Sequence, residues 1–69
     1  MFISTNSRWL SRRKGQPVIL TVVGKWCEGS LNKFEVIVYE LQPEGSDEKI
    51  QIPRANMEEL IRVKQLKEI

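Results

Sequence analysis

Lys33-Phe34-Glu35-Val36-Ile37-Val38-Tyr39-Glu40-Leu41 decides how the chain is read. The run is rich in β-branched and aromatic residues, which pack well on a pleated surface. Side chains alternate between the two faces of a strand. Phe34, Val36 and Val38 therefore share one face, and Ile37, Tyr39 and Leu41 the other. A strand with one solvated face shows apolar-in, polar-out alternation, and this one does not. Val18-Ile19-Leu20-Thr21-Val22-Val23 has the same two-sided character and reads as a second strand, extended loosely to Trp26. Cys27–Asn32, with Gly29, Ser30 and Asn32, is the expected hairpin connection.

Downstream, Gln42–Glu48 carries Pro43 and Gly45 as turn punctuation. Lys49-Ile50-Gln51-Ile52 is a short third strand stopped by Pro53. The tail from Asn56 is written in helix formers, with Asn56 as N-cap, Glu59 three residues on as in a capping box, and Glu58–Arg62 four apart. Met57, Leu60 and Ile61 cluster on a helical wheel, whereas Val63, Leu66 and Ile69 drift away. Summed propensity favours a helix throughout. The alternative is a helical turn ending near Ile61, followed by a strand Ile61-Arg62-Val63-Lys64. Upstream, residues 1–16 read as a basic arm or irregular lead-in. The expected fold is α+β and mainly β: one small domain over residues 1–69, with an antiparallel sheet of three to four strands and a C-terminal helix. The alternative is a five-stranded β-barrel with a short helical turn before its last strand.

The strand–turn–strand–helix order over Lys33–Leu41, Pro43-Glu44-Gly45, Ile50-Gln51-Ile52 and the capped tail resembles the single-strand-binding transcriptional coactivators. That resemblance implies curved sheets and a dimerising helix, but the basic, glycine-punctuated strands of that family are not matched. Ile52-Pro53-Arg54-Ala55-Asn56-Met57 looks equally like the strand–short-helix–strand ending of small five-stranded barrels. The two likenesses imply different folds and identify no family.

Composition narrows the chemistry. The chain has 69 residues, one cysteine and no histidine. A chain this short buries only about 60% of its unfolded surface, so its core is small. Without a second cysteine or any histidine, intrachain disulfides, Ser-His-Asp and Cys-His arrangements and histidine–metal sites are excluded. We expect no enzyme, no cofactor and no metal site. The acidic loop Glu44-Gly45-Ser46-Asp47-Glu48 lacks the ligand alternation of a calcium loop and reads as a solvated turn. Cys27 reads as a small buried hydrophobe. No apolar run approaches the roughly 20 residues that span a bilayer. A lone cysteine fits a cytoplasmic, reducing compartment.

Charge is uneven. Residues 1–33 carry six cations and one acid, net +5, while residues 34–69 carry net −3. Arg8-Trp9-Leu10-Ser11-Arg12-Arg13-Lys14 sets four cations around an indole, and Lys25-Trp26 repeats the pairing. Nucleic-acid binders use cations for phosphates and aromatic rings to stack on bases. The first expected function is therefore a small regulatory protein that binds single-stranded DNA or RNA through Arg8, Trp9, Arg12, Arg13, Lys14, Lys25 and Trp26, with Tyr39 as a further stacking ring. The competing role for Trp9 is core packing. The second is a protein-interaction module (accessory subunit, inhibitor or adaptor) docking through an exposed apolar face with Ile37, Tyr39, Leu41, Val63 and Leu66. Two-sided apolar strands on so small a core also point to a homo-oligomer.

Overall fold

A computed structural model of the chain describes residues 3–12, 15–29 and 35–69. Five strands form one antiparallel sheet: β1 (Arg8–Ser11), β2 (Val18–Gly29), β3 (Glu35–Pro43), β4 (Ile50–Pro53) and β5 (Leu66–Glu68), in the order β4-β3-β2-β1-β5. One helix, α1 (Arg54–Arg62), connects the two edge strands. The mainly β α+β class expected from the sequence is what forms. The sheet has five strands, however, not three to four, and it is not closed into a barrel because β4 and β5 do not pair. Among the described residues no helix is long and apolar enough to cross a membrane.

Two differences arise from pairing between residues far apart in sequence. Residues 8–11, placed by sequence in an irregular arm, form β1 and sit between β2 and β5. Trp9 pairs with Leu20 on one side and Glu68 on the other. The tail also divides. α1 stops at Arg62, and a strand does follow the helix, but it is Leu66–Glu68 (β5) and not Ile61–Lys64, which holds the helix end and the turn after it.

Both ends of α1 follow local rules that the capping-box reading missed. Pro53 is the N-cap, with extended backbone (φ −62°, ψ 150°) and no side-chain cap bond. The residue before a helix must be non-helical, and the fixed φ of proline suits that junction. Asn56 therefore lies inside the first turn and caps nothing. At the other end the Lys64 N–H donates to the Ile61 carbonyl and the Gln65 N–H to the Leu60 carbonyl. This is the paired geometry of a Schellman stop, and Lys64 occupies its left-handed position at φ 65°. The expected Glu58–Arg62 pair is replaced by Arg54–Glu58 (3.1 Å) and by Arg62 Nε donating to Glu59 (2.9 Å). Glu59 holds the Arg62 guanidinium above its ordinary pKa through that hydrogen bond.

β2 resolves the two-sided apolar pattern with a bulge. Register passes from Val22↔Leu41 directly to Gly24↔Glu40, leaving Val23 without a partner. One extra residue reverses which alternate positions face inward. Before the bulge Leu20 and Val22 point into the core. After it Lys25 and Cys27 share the face of Tyr39 and Ile37, and Trp26 points outward opposite Val38. Cys27 is consequently exposed, not buried as expected.

The core holds Ile3, Trp9, Leu20, Val22, Tyr39, Leu41, Met57 and Leu66, with Ile37, Ile52, Leu60 and Ile61 packed against it. The N-terminal segment closes one side of it. Asn6 takes the left-handed conformation (φ 74°) in the turn Ser4–Ser7, a conformation asparagine tolerates. The Asn6 N–H donates to the Val22 carbonyl, and the Val22 N–H to the Ser7 carbonyl, which seats Ile3 in the interior at 1% exposure.

Candidate anion-binding cavity at the β5 edge

Ion pairing sorts the cations. Arg8 meets Glu44 at 3.5 Å across two well-exposed side chains, Arg54 meets Glu58, and Arg62 meets Glu59. Exposed pairs of this kind contribute at most about 1 kcal/mol, but they leave little positive charge free for a ligand. Arg12, Lys64 and Lys67 make no ion pair among the described residues. These three line a single cavity of about 660 Å³ together with Trp9, Leu10, Ile61, Leu66 and Glu68.

Each cation arrives by a different local device. Arg12 follows β1, and its N–H donates to the Gln65 carbonyl, which ties it beside the turn into β5. Lys64 is placed by the helix stop, where a cation also offsets the partial negative charge of the last helical turn. Lys67 stands opposite Leu10 in the β1–β5 ladder. Strand alternation puts Leu10 and Lys67 on one side of that ladder and Trp9 and Leu66 on the other, so the cavity wraps the free edge of β5. The result is an edge with Leu10 on one side and Ile61, Leu66 and the Trp9 ring on the other, rimmed by three cations and one acid. Such an arrangement can hold an anion against an apolar ring, using charge-assisted hydrogen bonds from the rim.

The other residues expected at a nucleic-acid site are dispersed. Trp9 is a core residue: it is 5% exposed, and its indole N–H donates to Ser7 Oγ (2.9 Å), which in turn donates to the Ser4 carbonyl (2.6 Å). It reaches the cavity only as part of the lining. Arg8 is engaged with Glu44. Lys25 and Trp26, adjacent in sequence, point to opposite faces of β2. The Lys25 ammonium lies 5.8 Å from the centre of the Tyr39 ring, and Tyr39 itself is 1% exposed, so this ring cannot stack on a base. Trp26 is half-buried on the outer face, its N–H donating to Glu28 (3.1 Å). Arg13 and Lys14 lie outside the described residues.

The expected protein-docking face is corrected more fully. Tyr39, Leu41 and Leu66 are buried, and Ile37 packs against the core beside them. That face of β3 is turned toward α1 and the N-terminal segment. Of the set only Val63 is exposed. Apolar surface is open elsewhere, in a groove of about 440 Å³ on the unclosed flank of the sheet. Val18, Leu20, Leu41, Ile50, Ile52 and Leu60 line it, and Val18 and Ile50 are each about 40% exposed.

Lys64, Lys67, Leu10 and Ile61 were not read as site residues from the sequence. They come together only because β5 returns beside β1 across more than fifty residues. The one available signal was the spacing of Lys64 and Lys67 in a tail whose apolar residues fit no single helical stripe. Among the described residues no cluster of acidic or sulfur ligands could hold a metal. Compared with known families, curated proteins and solved structures, the chain matches none.

Proposed function

We propose that the protein binds single-stranded nucleic acid without catalysing a reaction, through the cavity at the β5 edge. The observation that carries this reading is the convergence of Arg12, Lys64 and Lys67, none of them in an ion pair among the described residues, around one partly apolar cavity. Phosphates would sit on the rim, and an unstacked base would lie against Leu10, on the side of the edge that carries Lys67. A single strand fits better than a duplex because its bases can splay into a concavity, whereas paired bases stay stacked. A cytoplasmic setting accords with the free thiol of Cys27.

Anisotropy of a fluorescently labelled oligonucleotide tests it. For three phosphate contacts the slope of log affinity against log salt is about −2. Arg12→Glu combined with Lys67→Glu should abolish the signal at low salt. Unchanged binding in that variant, or none in the wild type, contradicts the reading.

A second reading, a protein-docking module, is favoured by the apolar groove containing Val18 and Ile50. An accessory subunit, an inhibitor or a homo-oligomer would then cover these side chains. Val18→Asp with Ile50→Asp should abolish association with such a partner and leave oligonucleotide binding intact.

A further inference from the structure

The outer face of the β2–β3 hairpin carries its own constellation, independent of the nucleic-acid reading. Register places Gly24, Trp26 and Glu28 on this face of β2, beside Glu40, Val38 and Val36 of β3. The Trp26 ring lies over Gly24: a Cβ built there would meet Trp26 Cζ3 at 3.3 Å. At one end of the indole, Nε1 donates to Glu28 Oε1. At the other, Glu40 stands beside the same glycine, with its Cβ 3.5 Å from that built atom, and Glu40 Oε2 accepts from Gln51 Nε2 at 3.4 Å. Neither carboxylate makes an ion pair among the described residues. Val23 and Val36 extend the apolar strip, at 36% and 43% exposure.

We propose that this Trp26 face docks an arginine side chain of a partner protein. The charge complementarity is specific to a cation: carboxylates at both ends of the ring repel a phosphate backbone, which argues against base stacking at Trp26. An indole face attracts a cation through its quadrupole. A guanidinium adds planar stacking and donors in a fork that matches a carboxylate, which a lysine ammonium does not offer. The flanking valines would carry the aliphatic stem.

The test is a titration of the full ¹⁵N-labelled chain with acetylated, amidated hexa-arginine, read at the Trp26 indole N–H, with hexalysine of equal charge and a single-stranded oligonucleotide as comparisons. The Trp26 signal should move saturably with hexa-arginine, and about two- to fivefold more weakly with hexalysine. Glu28→Gln with Glu40→Gln, both surface changes that keep the ring in place, should remove the response. An equal response to both peptides, a response to the oligonucleotide instead, or a Trp26 signal that depends on protein concentration alone would each overturn the proposal. The last outcome would make a second copy of the chain the occupant. Binding at the β5 cavity can fail without affecting any of these results.

Discussion

The two tryptophans have nearly the same local sequence signature and opposite fates. Each sits beside a cation, and each indole N–H finds an oxygen two residues away, Ser7 for Trp9 and Glu28 for Trp26. Yet Trp9 is core and Trp26 is surface. The difference comes from pairing, not from neighbours in sequence. β1 sits inside the sheet, so the inward side of Trp9 meets Leu20 and the core. Trp26 lies past the Val23 bulge, which turns its side of β2 away from the core. Local composition announces aromatic–cation pairs, but only the register decides which of them can meet a ligand.

Truncating the two rings should separate them most widely. Trp9→Ala opens a cavity in a small core and should cost about 3–5 kcal/mol, enough to unfold much of the population in a chemical denaturation experiment. Trp26→Ala exposes Val38 but leaves the core intact, and should cost about 1–2 kcal/mol. Equal losses would mean that the two environments are misassigned.

The hydrogen-bond partners give a second, smaller contrast. Ser7→Ala leaves the Trp9 N–H without its acceptor in a part-buried site and should cost about 1–2 kcal/mol, with a shift of Trp9 emission. Glu28→Gln keeps an acceptor at an exposed site and should change stability by less than about 0.5 kcal/mol.

How much of this was legible in the sequence follows from the range of the interactions. β3, β2 and β4 could be read because their apolar residues are local, but the stops were placed too early: β2 runs through Cys27 to Gly29 and β3 through Gln42 to Pro43, into segments that read as connections. β1 could not be read. Arg8-Trp9-Leu10-Ser11 is short, only half apolar and set in a basic segment, and it becomes a strand only because β2 and β5 flank it. The end of α1 was half legible. The apolar drift at Val63 and Leu66 warned that the helix would stop, but lysine at the left-handed position of the stop is a weak signal where glycine is usual. The two-sided strands were read as surplus sheet needing a partner. The bulge at Val23, together with cover from α1, Ile3 and Trp26, accounts for much of that surplus within the chain. Of the three cations in the cavity only Arg12 was legible, because Lys64 is placed by the helix stop and Lys67 by the β1–β5 ladder.

Two smaller substitutions sharpen the account of these junctions. Lys64→Gly relieves a non-glycine residue of the left-handed conformation, offset in part by a more flexible unfolded chain, and should stabilise the fold by up to about 1 kcal/mol in thermal unfolding. Because it also removes a rim cation, it should weaken oligonucleotide binding while raising stability. Gly24→Ala should shift the Trp26 indole signal by nudging the ring, at a cost below about 1 kcal/mol and with no change at Trp9.

The most direct test is a residue-resolved NMR titration of the chain with a single-stranded oligonucleotide at low salt. The account predicts saturable shifts at Leu10, Arg12, Lys64 and Lys67, reversed by added salt, with the Trp26 indole signal unmoved. Shifts centred on Trp26 with the β5 edge silent would contradict it.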